Sequence, residues 1–425
     1  MIISFKVGNY KSIKDPVVLN FNASGLSEHR DSNIHVQGNK TILKSILLYG
    51  HNASGKSKIL DALSFFQWYT VNSATEKIDN TKQLLEPFRL SKQTKNKPSL
   101  FELTFIIGNV TYRYGFELDD KKVHKEWLLE VASNERPLFL RINQEFQINH
   151  KNFENADGLE KRTRKNALFL SVSAQWNVLK AQKIEQYIDK IYNVHGIDDK
   201  AYRDVTIDLL KNRKYVDLIQ KFIKKADLGI NSIDVLDIPI SFDDIKEKVP
   251  EELRERFKET FEKRKPVTII STHNVFDEDK IIDVEPFIFN QAESEGTKKY
   301  FSLVGLLILA LNENRPIIID EFDARLHSLL SKSIIKLFNS SKIKTKSQLI
   351  VATHDTSLID REVLRRDQVY FVEKDVYGAT KLSTLAEYKP RKETPYDKNY
   401  LDGKYGGIPF IGDLENIFSD EQETK

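Results

Sequence analysis

An α/β fold with a mixed sheet, an antiparallel β-subdomain and a mainly helical insertion is what this 425-residue sequence predicts. Three observations carry it. The mostly apolar run Leu43–Tyr49 leads into Gly50-His51-Asn52-Ala53-Ser54-Gly55-Lys56-Ser57, which fits G-x-x-x-x-G-K-[ST], and Lys58–Leu63 then read as a helix. Two continuous apolar runs, Pro316–Asp320 and Gln348–Thr353, stand either side of a helical pattern, as in a parallel sheet covered on both faces. Residues 98–147 alternate apolar and polar positions around Gly108-Asn109, as an antiparallel meander does.

Taken in order, residues 1–21 read as strand, corner and strand, with Asn9-Tyr10-Lys11-Ser12-Ile13 at the corner. Residues 40–70 carry the glycine loop and its helix, and the meander follows. Between about 155 and 265 the character changes. Ile184, Tyr187, Ile188 and Ile191 recur at helical spacing, as do Val205, Ile207, Leu209 and Leu210, then Val216, Leu218, Ile219 and Phe222. Glu251–Lys265, bracketed by Pro250 and Pro266, reads as an exposed charged helix. Thr268–Thr272 and Ile281–Val284 return to sheet. Thr297–Leu311 and Ala324–Asn339 read as helices around the first apolar strand, and Asp367–Lys374 adds a further strand. The expected division is an N-terminal lobe over 1–150, the insertion over 151–284 and a C-terminal lobe over 285–425.

Composition narrows the function classes. Forty per cent apolar and thirty per cent charged residues suit a globular protein, and no apolar run reaches the length of a membrane span. The chain opens on strand-like Met1-Ile2-Ile3-Ser4-Phe5 without signal-peptide features, so a cytoplasmic location is expected by default. With no cysteine there are no disulfides, thiolate metal sites or cysteine nucleophile. A net charge of +3 does not announce nucleic-acid binding. The basic clusters Lys161–Lys165, Lys263-Arg264-Lys265 and Lys342, Lys344, Lys346 could each touch phosphate, although any one reads first as a solvated face.

The chemistry concentrates in a few places. Gly50 and Gly55 let the backbone curl so that several N–H groups meet one anion at a helix N-terminus. Lys56 is suited to reach the β- and γ-phosphates, and Ser57 offers a hydroxyl to Mg²⁺. Asp320 ends an apolar strand, where a metal-linked carboxylate belongs, and Glu321 is placed to polarise a water. Two adjacent carboxylates beside a buried strand need a cation. His354 follows the other apolar strand and would reach the same sheet edge. Ser294-Glu295-Gly296-Thr297 opens the long helix as a second small-residue turn, which alone reads as an N-cap.

In this order, the loop, the Ser294–Thr297 turn, Asp320-Glu321 and His354 resemble the ABC-type ATPase head of the SMC/RecF/RecN branch. Asn9-Tyr10-Lys11-Ser12 resembles that branch's opening corner, and Asp320–His327 its catalytic strand and following loop. Asp367–Lys374 and Tyr400–Pro409 are similar to a bacterial group of AAA-like ATP/GTP phosphatases that includes RloA proteins and the AriA and PtuA anti-phage ATPases. The resemblance covers about 1–120 and 285–410. It implies that Gly50–Ser57 bind the triphosphate with Lys11 and Ser12 nearby. It implies that Asp320 supports Mg²⁺, that Glu321 is the general base, and that His354 is the switch. Ser294 and Gly296 would reach the γ-phosphate of a nucleotide held by a second copy, so that ATP joins a homodimer or higher oligomer and hydrolysis releases it. The glutamine of the family's lid is left open between Gln83 and Gln93, Arg89 is a further approach to the nucleotide, and His327 stands where many transporters carry Asp.

The expected function is Mg-dependent ATP hydrolysis in a switch that senses or clamps DNA or RNA and controls a separate effector, a nuclease or toxin, in anti-phage defence. The alternative is an ATP-dependent scaffold that sequesters the toxin or nuclease without touching DNA. ATP or GTP preference is not legible.

Overall fold

A computed structural model describes residues 1–75, 85–237, 250–251, 254–255, 258, 267–391 and 394–409. Gln83, the Lys263-Arg264-Lys265 cluster and most of the helix expected over Glu251–Lys265 lie outside the described residues. The chain divides into two compact units. The first comprises Met1–Gly196, Glu313–Asp323 and Ser331–Lys425, and the second Ile197–Asn312 and Ala324–Leu330.

The first unit holds two large sheets. One is seven-stranded and antiparallel, built from β1 (Ile2–Gly8), β2 (Val17–Asn20), β6 (Ser99–Ile107), β7 (Val110–Leu118), β8 (Val123–Val131), β9 (Glu135–Ile142) and β10 (Glu145–Ile148) in the order β10-β9-β8-β7-β6-β1-β2. The alternation over 98–147 thus forms hairpins, with Phe101, Leu103 and Phe105 of β6 buried. The other sheet is six-stranded. Its strands are β5 (Ser45–Tyr49), β11 (Tyr192–His195), β15 (Ile317–Asp320), β16 (Leu349–Ala352), β17 (Val369–Lys374) and β18 (Thr380–Thr384), ordered β11-β15-β16-β5-β17-β18. All its pairings are parallel except β17 with β18. A small hairpin, β3 (Ile34–Gln37) with β4 (Lys40–Leu43), completes the unit's strands among the described residues.

Helix α1 (Lys56–Asn72) has no interior Gly or Pro and buries residues on more than one face. Phe65, Phe66 and Tyr69 meet the antiparallel sheet, where Phe66 stacks on Phe116 at 5.4 Å between ring centroids. The helix also contacts β15 and β16 of the parallel sheet. It therefore carries its first turn to the parallel sheet while its aromatic side is held by the meander. Burying one such phenylalanine contributes about 1.5–3 kcal/mol, which fixes where that first turn sits.

Residues 151–196, expected to begin the insertion, pack within the first unit. Helix α2 (Phe169–Gln175) is tied there by buried Glu126, which accepts from the amides of Phe169 and Leu170 at 2.7 and 3.0 Å. Arg141 pairs with the same carboxylate and donates to the Ala167 carbonyl. Helix α3 (Leu179–Asp189) follows, burying Ala181, Ile184 and Ile188 as their spacing requires.

The second unit contains α4 (Lys200–Lys211), α5 (Val216–Lys225), α6 (Phe289–Ala292), most of α7 (Glu295–Glu313) and the start of α8 (Ser328–Asn339). It also holds an antiparallel sheet, β12 (Ile230–Asp237), β13 (Val267–Asp277) and β14 (Lys280–Ile288), in that order. Strands were expected near β13 and β14, but β12 lies in the stretch read as helical. Every residue of edge strand β14 is exposed, including Ile281, Ile282, Val284, Phe287 and Ile288. A short helix, α9 (Tyr396–Leu401), belongs to the first unit.

Candidate nucleotide site

The glycine loop connects buried β5 to α1, in the strand, turn and helix order that anion capture at a helix N-terminus needs. Gly55 has φ 115°, a left-handed conformation, and a Cβ there would collide with Thr380 Oγ1. A Cβ on Gly50 would lie 2.6 Å from Ser54 Oγ and run into the Val372 carbonyl. Both glycines are thus fixed by close approach as well as by curl. Asn52 and Ala53 form the exposed crest, and the buried Ser54 hydroxyl has no protein partner among the described residues. Lys56 folds back onto its own loop, donating from Nζ to the carbonyls of Gly50 at 2.6 Å and His51 at 3.3 Å. Burial pulls its ammonium down to about 8, against the attraction of Asp320, Asp323 and Glu321. A cation held over carbonyls with carboxylates in electrostatic range can exchange those carbonyls for phosphate oxygens.

The parallel register brings the chain ends of β11, β15, β16 and β5 to one sheet edge. Asp320 and Glu321 stand there half-buried, Glu321 with φ 48° and its amide donating to Asp320 Oδ1 at 3.0 Å. The Phe322 amide donates to the Ala352 carbonyl, fixing β15 to the end of β16. His354 is exposed at the same edge, and its amide donates to Asp323 Oδ1 at 3.1 Å. Partial desolvation, then the Lys56 charge, lower its imidazole below the ordinary value, while Asp323, Glu321 and Asp320 pull the other way. The ring is therefore neutral at neutral pH and able to accept or donate a hydrogen bond.

Ser57 and Asp320 line one cavity of about 210 Å³, together with Asp61 of α1 and His195 of β11. A hydroxyl and a carboxylate sharing a small cavity next to a phosphate loop fit the oxygen preferences of Mg²⁺, which keeps several waters and takes its remaining ligands from phosphate.

In the second unit, Ser294 caps α7, its Oγ accepting from the Thr297 amide at 3.1 Å. A Cβ on Gly296 would lie 2.8 Å from the Arg325 carbonyl, so the turn is held against backbone. Glu295 pairs with both Lys298 and Arg325, leaving that flank of the turn neutralised.

Lys11, expected near the nucleotide, pairs with Asp61, which also accepts from the Tyr10 hydroxyl at 2.9 Å. Ser12 touches Thr380 Oγ1 at 2.8 Å, and that hydroxyl donates to the loop carbonyl of Ser54 at 3.2 Å. Of the open lid candidates, Gln93 is exposed in a turn, and Arg89 pairs with Glu86. In the Lys161–Lys165 cluster, Arg162 lies over Trp176 and Arg164 donates to the carbonyls of Ser73 and Ala74.

Four contributions were not read from the sequence. Asp323 positions His354, and His195 enters the Ser57–Asp320 cavity. Thr380 backs the loop, and Gly407 accepts from the His51 amide at 2.7 Å. Asp323 had a signal, three carboxylates in four residues after an apolar strand. Gly407 lies in the Tyr400–Pro409 stretch, which was singled out without this contact, whereas His195 and Thr380 come from distant segments and have no local pattern.

No curated protein matches the chain. Among solved structures, it is similar to the SMC head bound to the C-winged helix domain of ScpA, at 18% identity over 90% of this chain and 97% of that one, with a TM-score of 0.47. It is similar also to the SMC head domain from Thermotoga maritima, at 16% identity over 90% and 98%, with a TM-score of 0.42. A third is the Smc head domain with an extended coiled coil bound to the C-terminal domain of ScpA derived from Pyrococcus furiosus, at 15% identity over 90% and 96%, with a TM-score of 0.40. Residues 45–360, which run from β5 through the loop, the carboxylate strand and His354, match the family described as "AAA domain, putative AbiEii toxin, Type IV TA system". The chain belongs to that family and carries its AAA-type, nucleotide-binding domain.

Proposed function

We propose that this protein hydrolyses ATP with Mg²⁺ and uses the cycle as a switch over a separate effector. The observation that carries this reading is the gathering of Lys56, Ser57, Asp320, Glu321 and His354 at one edge of one parallel sheet. Gly50–Ser57 cradle the phosphates, and Lys56 turns from its own carbonyls to the β- and γ-phosphates. Ser57 and Asp320 would hold Mg²⁺, which would screen the triphosphate's charge. Glu321 takes a proton from the water that attacks the γ-phosphorus, the bond to the β–γ bridging oxygen breaks, and ADP and phosphate leave. His354, held through its amide by Asp323, hydrogen-bonds the γ-phosphate and senses its loss.

Ser294 and Gly296 meet the triphosphate of a second copy in a nucleotide-joined homodimer, which gives hydrolysis a mechanical output. The family description names a putative toxin and a type IV TA system, which supports a toxin-linked role, and we extend it to control of a toxin or nuclease in defence. We include nucleic acid as the signal sensed or clamped by the joined dimer.

Glu321→Gln tests the reading. It should bind ATP, release no phosphate, and accumulate as a dimer by light scattering, because water activation is lost while phosphate contacts remain. Hydrolysis at the parent rate would overturn the general-base assignment. An ATP-loaded monomer would overturn the dimer.

A further inference from the structure

We propose that Tyr377, with Leu90 and Val376, forms the platform on which the nucleobase stacks. This rests on the phosphate-loop reading above and extends it from the triphosphate to the nucleoside.

The sheet order gives the nucleoside its side. Asp320, Glu321 and His354 belong to the ends of β15 and β16, which lie on one flank of β5 in the order β11-β15-β16-β5-β17-β18. A triphosphate whose γ end meets them carries its α-phosphate and ribose toward the opposite flank, that of β17 and β18. β17 runs parallel to β5, so it ends at Lys374 on the edge of the sheet where the phosphate loop lies. The turn from β17 into β18 stands on that edge, and Tyr377 lies within it. β18 begins at Thr380, whose hydroxyl donates to the Ser54 carbonyl of the loop at 3.2 Å.

The turn is held in one shape. Asp375 Oδ1 accepts from the amides of Tyr377 and Ala379, both at 2.9 Å. The Gly378 amide donates to the Asp375 carbonyl, and the Asp375 amide to that of Ala379, again both at 2.9 Å. Gly378 has φ 75°, and a Cβ there would lie 2.9 Å from Leu90 Cδ1, so Leu90 rests against the turn. Leu90, Val376 and Tyr377 are nevertheless 73%, 92% and 73% exposed. A ring and two aliphatic side chains held in water beside a phosphate loop match a purine, whose flat face can cover them. They present carbon and a ring face, which read stacking area and not the amino or oxo edge of the base. ATP and GTP should therefore bind within about threefold of each other, and UTP more weakly.

Calorimetric titration of the full chain with Mg²⁺ and ATP, GTP or inorganic tripolyphosphate tests the platform. Tyr377→Ala should weaken ATP binding about tenfold, leave tripolyphosphate binding unchanged and keep the parent melting temperature. Tyr377→Phe should keep the parent affinity for ATP, because the ring remains. Tyr377→Ser gives a second variant should alanine disturb the turn. Parental ATP affinity in both the alanine and serine variants overturns the proposal, and so does an equal loss for ATP and tripolyphosphate. Either result leaves the phosphate-loop reading standing. A parent that binds neither ATP nor tripolyphosphate overturns both, which separates the two failures.

Discussion

The His51 amide donates to the Gly407 carbonyl at 2.7 Å, joining the second residue of the phosphate loop to a segment near the other end of the described chain. Gly407 is held in turn by the Tyr400 hydroxyl at 3.0 Å and by Glu373, which accepts from its amide at 3.1 Å. Tyr400 stacks on Phe371 of β17 at 5.1 Å, so the strap is anchored in the parallel sheet. Tyr400→Phe keeps the stack and removes one donor. It should cost about 1 kcal/mol, a roughly fivefold loss of ATP affinity if the strap holds the loop in its binding shape. Calorimetric titration checks this, and an unchanged affinity would show that the loop holds its shape without the strap.

Gly55 faces two separate obstacles to a side chain, its left-handed φ and the Thr380 side chain behind it. Gly55→Ala should destabilise the first unit by at least about 1 kcal/mol and abolish nucleotide binding. Adding Thr380→Ala removes the hydroxyl clash but not the backbone strain. The double variant should recover part of the melting temperature and little of the affinity. Full recovery of both would show that sterics alone demand the glycine.

Ser294 caps α7 and is proposed to meet a second copy's triphosphate, two roles that substitution can separate. Ser294→Ala loses the cap on α7 and should cost about 1 kcal/mol. Ser294→Asp keeps a capping oxygen, so stability should hold while a new negative charge meets the partner copy's γ-phosphate. Its ATPase rate should then drop at least about tenfold with nucleotide binding intact. A parental rate in Ser294→Asp would remove Ser294 from the inter-copy contact.

His35 of β3 is buried, its ring nitrogen at 3.1 Å from the Ser347 carbonyl. Burial lowers its imidazole from 6.5 to about 4, with the Ser347 hydrogen bond opposing and Lys44 adding to the shift. The unfolded chain takes up a proton near pH 6.5, while the folded one resists until about 4. Stability is full above 6.5 and falls as the pH drops through that window, by roughly 3 kcal/mol in total. Urea midpoints at pH 7, 5.5 and 4.5 should show the fall, and His35→Gln should flatten it.

The features legible in the sequence were those written locally. The loop, the apolar strands leading to Asp320 and His354, and the alternation of the meander each fit within a short window. β11 was not legible, because four residues with only Val194 buried carry no period, and the strand exists by pairing with β15. β12 was missed for a related reason. Its stability comes from β13, beyond a long intervening stretch, as in the Ser232–Thr272 hydroxyl pair. Lys11 belongs to a corner that was recognisable, whereas its partner Asp61, which lines the cavity of Ser57 and Asp320, had no local pattern.

Edge strand β14 bears on how copies of this protein could pair edge to edge. Among the described residues no strand pairs its outer side, and a row of amides flanked by Ile281, Ile282, Val284, Phe287 and Ile288 is a template on which ribbons can grow. Asp283, Glu285 and Pro286 interrupt it, two by charge and one by lacking an amide hydrogen. Those three act as gatekeepers, and replacing them with valine or threonine would turn a tolerated border into a nucleus for fibrils.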